Sequence, residues 1–181
     1  MNLRRVAGWA AVFGLLMAYV IVFERRTPQQ EETQHRETPA ARLFSFSAQQ
    51  MREVRIESGP HAIRLIRKTG SWETDPPGRQ KATPEIIESL INDLLETTRL
   101  EVVAEQPASL DQFGLNAPSV HITILLEKKR DPVVLRLGAV APSQVSMYAQ
   151  VEHGPGVVLI GTYLSHSIRT FLYHAGLEEG N

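Results

Sequence analysis

The longest apolar run comes first. Val6 to Phe23 reads VAGWAAVFGLLMAYVIVF, eighteen positions with no charge and no proline. As a helix it would extend about 27 Å, close to the hydrocarbon thickness of a bilayer. The run predicts a single transmembrane helix over residues 6–23, behind a cytoplasmic tail of residues 1–5. A cleaved signal peptide competes with this, but its apolar region spans about 7–15 residues and ends in small residues at a cleavage site. Here the run stops at Glu24-Arg25-Arg26 without that pattern. Arg4 and Arg5 precede the helix and Arg25 and Arg26 follow it, so positive charge favours an inside N-terminus only slightly. A short tail is also easier to retain inside than the long C-terminal portion.

Ala10, Gly14 and Ala18 recur every four residues along the run, which places small side chains on one helical face where another helix can approach. Membrane helices are rich in small residues in any case, so the spacing alone does not name a partner. Apolar periodicity then stops. From Glu24 to Ala41 the chain is polar and includes Pro28 and Pro39, which predicts a flexible tether over residues 24–41.

Period two begins with Val54 and Ile56 alternating with Arg55 and Glu57, the pattern of a half-buried strand. Ser58-Gly59-Pro60 turns the chain into Ala62–Lys68, and Thr69-Gly70 turns it again into Ser71–Thr74. Pro76-Pro77-Gly78 breaks the sheet pattern. Thr83-Pro84-Glu85 then opens a helix, with threonine to cap, proline for the first position and glutamate at the positive dipole end. Ile86, Ile87, Leu90, Ile91, Leu94 and Leu95 make one apolar stripe on it. Extended segments follow at Leu100–Ala104, Val120–Glu127, Val133–Leu137, Met147–Val151 and Val157–Ile160. Val120, Ile122, Ile124 and Leu126 share one strand face. Ser165–His174 closes the chain as a helix with Ile168, Phe171 and Leu172 inward. Short turns between these strands, with two helices, predict an α+β domain over residues 42–181. Its sheet should be mostly antiparallel, with one long amphipathic helix and a short C-terminal one.

Composition removes function classes more than it adds any. The 181 residues carry a net charge of −1, which gives no global field toward nucleic acid. The only basic cluster, Lys128-Lys129-Arg130, reads as a charged hairpin tip. No cysteine is present, which excludes disulfides, thiolate nucleophiles and cysteine-ligated metals. Six histidines include no H-E-x-x-H and no i, i+4 pair; His166 and His174 stand two helical turns apart. No G-x-S-x-G or phosphate loop occurs. No catalytic constellation, metal site or cofactor is expected. A hydrolase without a recognisable motif would have to rest on His121 or Asp111.

The segment DQFGLNAPSV, Asp111–Val120, has the look of a corner. Ser109 and Asp111 can cap a short helical turn, Gly114 permits the positive φ that ends it, and Phe113 and Leu115 supply apolar anchors. Pro118 stops the helix before the strand at Val120. Other landmarks are Leu65-Ile66-Arg67, Gly70-Ser71-Trp72, the proline-rich loop, the apolar helix, Leu137-Gly138, and Tyr148 before Val157-Val158. Taken in order, these resemble one copy of the bacterial family called domain of unknown function 4340. The resemblance rests on the ordered series and on no single motif. Two features depart from the family pattern: members often carry more than one copy, and their helix is commonly introduced by alanine-aspartate, where this chain has Ala82-Thr83.

That resemblance implies an envelope protein held in the bacterial inner membrane by one helix, its domain in the periplasm or otherwise outside the cytoplasm. It also implies association with ABC-type export systems, including those linked with gliding motility. The expected function is a non-enzymatic auxiliary or scaffold subunit with integral-membrane partners, contacting lipid through residues 6–23 and binding no nucleic acid. The alternative is an extracytoplasmic module for cell-wall glycan, peptide or lipid, which an exposed Trp72 or Tyr148 would favour. The resemblance brings no catalytic residues. Its landmarks Trp72, Phe113, Gly114, Leu115, Pro118, Gly138 and Tyr148 are expected to be structural.

Overall fold

The computed structural model of the chain describes residues 41–75, 81–154 and 156–177. The expected transmembrane helix with Ala10, Gly14 and Ala18, the expected cytoplasmic tail and residues 24–40 of the expected tether lie outside the described residues. Among the described residues no helix is long and apolar enough to cross a membrane.

Alternating side chains produce the strands. β2 (Met51–Ser58), β3 (His61–Lys68) and β4 (Ser71–Thr74) form an antiparallel meander. Helix α1 (Pro84–Glu96) follows, and β5 (Thr98–Ala104) leaves it. The chain then runs through β6 (Val120–Leu126), β7 (Val133–Val140), β8 (Ser146–Val151) and β9 (Val157–Gly161) as a second meander, and α2 (Tyr163–His174) closes it. With the two-residue β1 (Ala41–Arg42), nine strands among the described residues form one sheet in the order β1-β5-β9-β8-β7-β6-β2-β3-β4, antiparallel at every pairing. An α+β domain with a mostly antiparallel sheet and two helices is therefore what the described residues form.

One sheet face carries Val54, Ile56, Ile63, Leu65, Ile122, Ile124, Leu135, Leu137, Ala149, Val158 and Ile160, all in one buried cluster with both helices. From α1 the cluster takes Ile87, Leu90, Ile91 and Leu94; from α2 it takes Leu164, Ile168, Phe171 and Leu172. Ile86 and Leu95, which share the predicted stripe of α1, are only partly buried at its margin. Burying this many branched side chains supplies the main driving force for folding, at about 1.5–3 kcal/mol for each fully buried side chain.

Three local expectations need correction. Thr83 occupies the cap position of α1, but its hydroxyl makes no capping bond to the helix amides. Its side chain instead favours the ionised Glu85 carboxylate and, with the backbone amide of Glu85, lowers the Glu85 pKa. In the corner turn the cap position belongs to Leu110; Ser109 Oγ does accept from the Asp111 amide, but the Asp111 carboxylate bonds side chains and caps no amide. Ala41, read as the end of the tether, pairs with Arg99 in the sheet.

Candidate functional site

The predicted landmarks converge on the sheet face opposite the helices. A 3-10 turn at Asp111–Phe113 ends at Gly114, whose φ of 66° is open to glycine at little steric cost. The Gly114 amide donates to the Asp111 carbonyl at 2.9 Å, and the Leu115 amide reaches back to the Leu110 carbonyl at 3.1 Å. Asp111 ties the loop together. Its backbone amide donates to Ser109 Oγ at 3.2 Å, and its carboxylate accepts from the Ser109 hydroxyl and from Asn116 Nδ2. Both of its carboxylate oxygens are thus taken up within the corner.

The corner then lies directly on β7. A Cβ on Gly138 would stand 2.1 Å from the Phe113 carbonyl oxygen, and one on Gly114 would stand 2.8 Å from the Ala139 nitrogen. Neither contact is sterically possible, so two backbones touch where two side chains are missing. Phe113, Leu115 and Val157 form a small buried cluster, joined by Leu110, Ala104 and half-buried Tyr148. The Phe113 and Tyr148 rings meet edge-on at 5.1 Å between centroids, a geometry the aromatic quadrupoles favour. Beyond Pro118, Ser119 bonds the Leu137 carbonyl through its amide at 2.9 Å and its hydroxyl at 3.1 Å.

The family model described as Domain of unknown function (DUF4340) matches residues 72–172. The chain belongs to the DUF4340 family. No curated protein and no solved structure matches the chain. The matched span opens at Trp72 and takes in the corner, Gly138, Tyr148 and both helices. It leaves out β2 and β3, yet among the described residues β3 is the only strand that pairs with β4, and β2 joins it to β6. The DUF4340 domain of this chain is therefore completed by residues that precede the matched span.

Not every landmark meets at the corner. Trp72 is 3% exposed and belongs to the helix-side core. Gly156 was missed as a landmark, although its φ is 86° and a Cβ there would stand 2.1 Å from the Ala104 carbonyl oxygen. Its signal was a glycine immediately before a strand, hidden in a segment whose composition reads only as a turn.

The same sheet face holds an ion-pair network. Glu53 is 6% exposed. Arg64 grips its carboxylate with two bonds, Nε to Oε1 and Nη2 to Oε2, each 2.7 Å, and also bonds Asp75. The hydrogen bond from Arg64 is the largest cause holding the Glu53 pKa below the ordinary carboxylate range; burial opposes it. Arg55, directly across from Arg64 in the ladder, approaches Glu53 at 3.6 Å. Glu53 thereby offsets the repulsion of two facing guanidinium groups, which is a structural task.

The remaining chemical candidates stand apart. His121 on β6 places Nδ1 3.7 Å from Glu57 Oε2, and its Nε2 is buried with no hydrogen-bond partner among the described residues. Among the described residues, no three His, Asp or Glu side chains gather closely enough to hold a metal ion. His166 and His174 line one groove together with Asp93 of α1. Their i, i+8 spacing was visible in the sequence, but the opposing helix was not.

One feature of the sheet has no counterpart in the sequence reading. β1 covers only Thr98 and Arg99 of β5. From Leu100 to Ala104 the outer edge of β5 has no paired strand among the described residues, and Leu100, Val102 and Val103 are exposed there at 46%, 36% and 38%. Two register shifts against β9 disturb the in–out alternation and turn apolar residues to solvent.

Proposed function

We propose that this DUF4340 chain is a non-enzymatic, membrane-anchored envelope protein. In this reading it serves as an auxiliary or scaffold subunit of an ABC-type transport complex, with its folded domain outside the cytoplasm. The observation that carries the interaction role is the β5 edge. Among the described residues β5 has no paired strand from Leu100 to Ala104 and exposes a row of apolar residues, and such an edge is a template for a strand of another chain. The apolar run at residues 6–23 supplies the anchor and, through Ala10, Gly14 and Ala18, a face for a partner helix. Asp111 of the corner bonds its own loop, and Glu53, Arg64 and Asp75 bond one another, which suits a structural part.

Affinity purification of the full chain from membranes in mild detergent tests this. Co-recovery of integral-membrane subunits and an ATPase is expected. Val102→Lys, which places a charge on the open edge without filling a core position, should abolish that recovery and leave thermal stability unchanged. Recovery of the protein alone, under conditions that keep other transport complexes intact, would sink the subunit role.

The ligand-module alternative draws no support from the aromatics that the sequence put forward. Trp72 is buried in the core and Tyr148 packs against Phe113.

A further inference from the structure

Helix α2 separates two shallow concavities of about 430 Å³ each. The first lies between α1 and α2, where apolar Ile86, Leu90 and Phe171 are joined by Ser89, Asp93 and Thr170. The second lies between α2 and the adjoining end of β7 and β8, with Val140, Met147 and Arg169. Tyr163 and His166 line both. Tyr163 is 65% exposed even though its hydroxyl lies 3.4 Å from Asp93 Oδ1.

We propose that the two concavities are adjoining subsites for a linear glycan, with the Tyr163 ring as a stacking platform between them. Two cavities of equal size that share an exposed aromatic suit a ligand made of repeating units. Sugar rings present an apolar C–H face and a rim of hydroxyls. The lining answers both, with a tyrosine face, neutral hydroxyls at Ser89 and Thr170, and an accepting carboxylate at Asp93. Arg169 donates in the second subsite, where it fits a carbonyl or carboxylate substituent on the sugar. A peptide main chain is matched less well, because α1 and α2 use their backbone groups internally and β7 and β8 pair with each other at the second hollow, so neither offers a free ladder. A lipid chain would lie open to water in hollows this shallow, so its burial would gain little. The site shares no residue with the β5 edge, and either proposal can fail while the other stands.

Calorimetric titration of the full chain, in detergent micelles, with chitotetraose and with cellotetraose tests the assignment. Saturable binding of chitotetraose is expected, tighter than that of cellotetraose because its acetamido carbonyls reach Arg169. Tyr163→Ala should weaken it by about tenfold or more, equivalent to the loss of one good stacking contact. Tyr163→Phe should retain it. Tyr173→Ala removes another exposed ring of α2 that lines neither concavity, and should leave binding unchanged. Arg169→Ala should remove the preference for chitotetraose. On the unaltered protein, hydroxyl-radical footprinting should show chitotetraose shielding Tyr163 and not Tyr173, a readout independent of how any variant folds. Absence of saturable binding to either oligosaccharide, equal losses in Tyr163→Ala and Tyr173→Ala, or a footprint that spares Tyr163 would each overturn the proposal.

Discussion

The two faces of the sheet are closed by different means. On one, two amphipathic helices lay branched side chains over branched side chains, and the join is made of apolar volume. On the other, a single corner loop covers one end, and the join is made of backbone lying on backbone at Gly138 and Gly114. Elsewhere on that second face, among the described residues, Arg64 makes ion pairs with Glu53 and Asp75. Volume can be redistributed among many neighbours, so the helix-covered face should tolerate exchange of one aliphatic for another of similar size. A backbone contact has no such reserve, because nothing smaller than glycine is available.

The sharpest way to break this contrast is Phe113→Ala. Truncating the one aromatic that anchors the corner should cost about 3–5 kcal/mol in urea unfolding. A cost near zero would mean that the loop merely rests on the sheet. Ile91→Ala on the opposite face should cost about 2–5 kcal/mol, whereas Ile91→Leu should stay below about 1.5 kcal/mol. If both substitutions at Ile91 are equally damaging, the supposed tolerance of the helix side is absent. Gly138→Ala adds a single carbon where there is no room and should cost about 1–3 kcal/mol. Hydrogen exchange should localise its effect to residues 109–119 and spare α1.

The smallest effect tests the ion pairs. Arg64→Ala leaves Glu53 buried without its main partner and should destabilise the fold by less than any of the substitutions above, since Arg64 is itself half-exposed and screened by water. The pH dependence carries the sign. Glu53 has a lowered pKa in the fold, so the stabilisation from its ionised form is complete above the ordinary carboxylate value, about 4.3. It is lost as pH falls through the lowered folded value. The stability gap between the unaltered protein and Arg64→Ala, measured by urea titration at successive pH values, should therefore narrow on acidification. A gap that stays constant would assign the loss to packing of the arginine stem.

What could be read from the sequence follows the same division. Period two in Val120–Leu126 and the 3.6 period in Ile86–Leu95 report which residues enter an apolar layer, and the strands and helices formed where those periods lie. The corner was legible because glycine, proline and an aspartate that bonds its own loop each carry a local conformational preference. Its contact partner was less so: Gly138 looks like any glycine near a strand until the fold brings Phe113 over it. β5 shows the limit. Its exposed apolar residues follow from register shifts against β9, a strand more than fifty positions away, and no local period encodes them. The Tyr163 ridge between two hollows was hidden for the same reason, since the chain brings Asp93 and Tyr163 together only when both helices dock.

The strand order has a consequence for the newly made chain. β2, β3 and β4 build one flank of the sheet, and β5 belongs to the far flank, but the four strands between them are synthesised last. Val54 must wait for Ile124, and Arg99 for Ile160, before either flank gains its inner neighbour. Such distant pairings favour slow folding, because loop entropy is lost before the contacts that compensate it have formed. Until β9 slots in, the nascent protein carries two uncovered inner edges in addition to the outer ones. A ribosome stalled within β7 would thus display a half-built sheet that is a target for chaperones, or for the same half of a neighbouring chain.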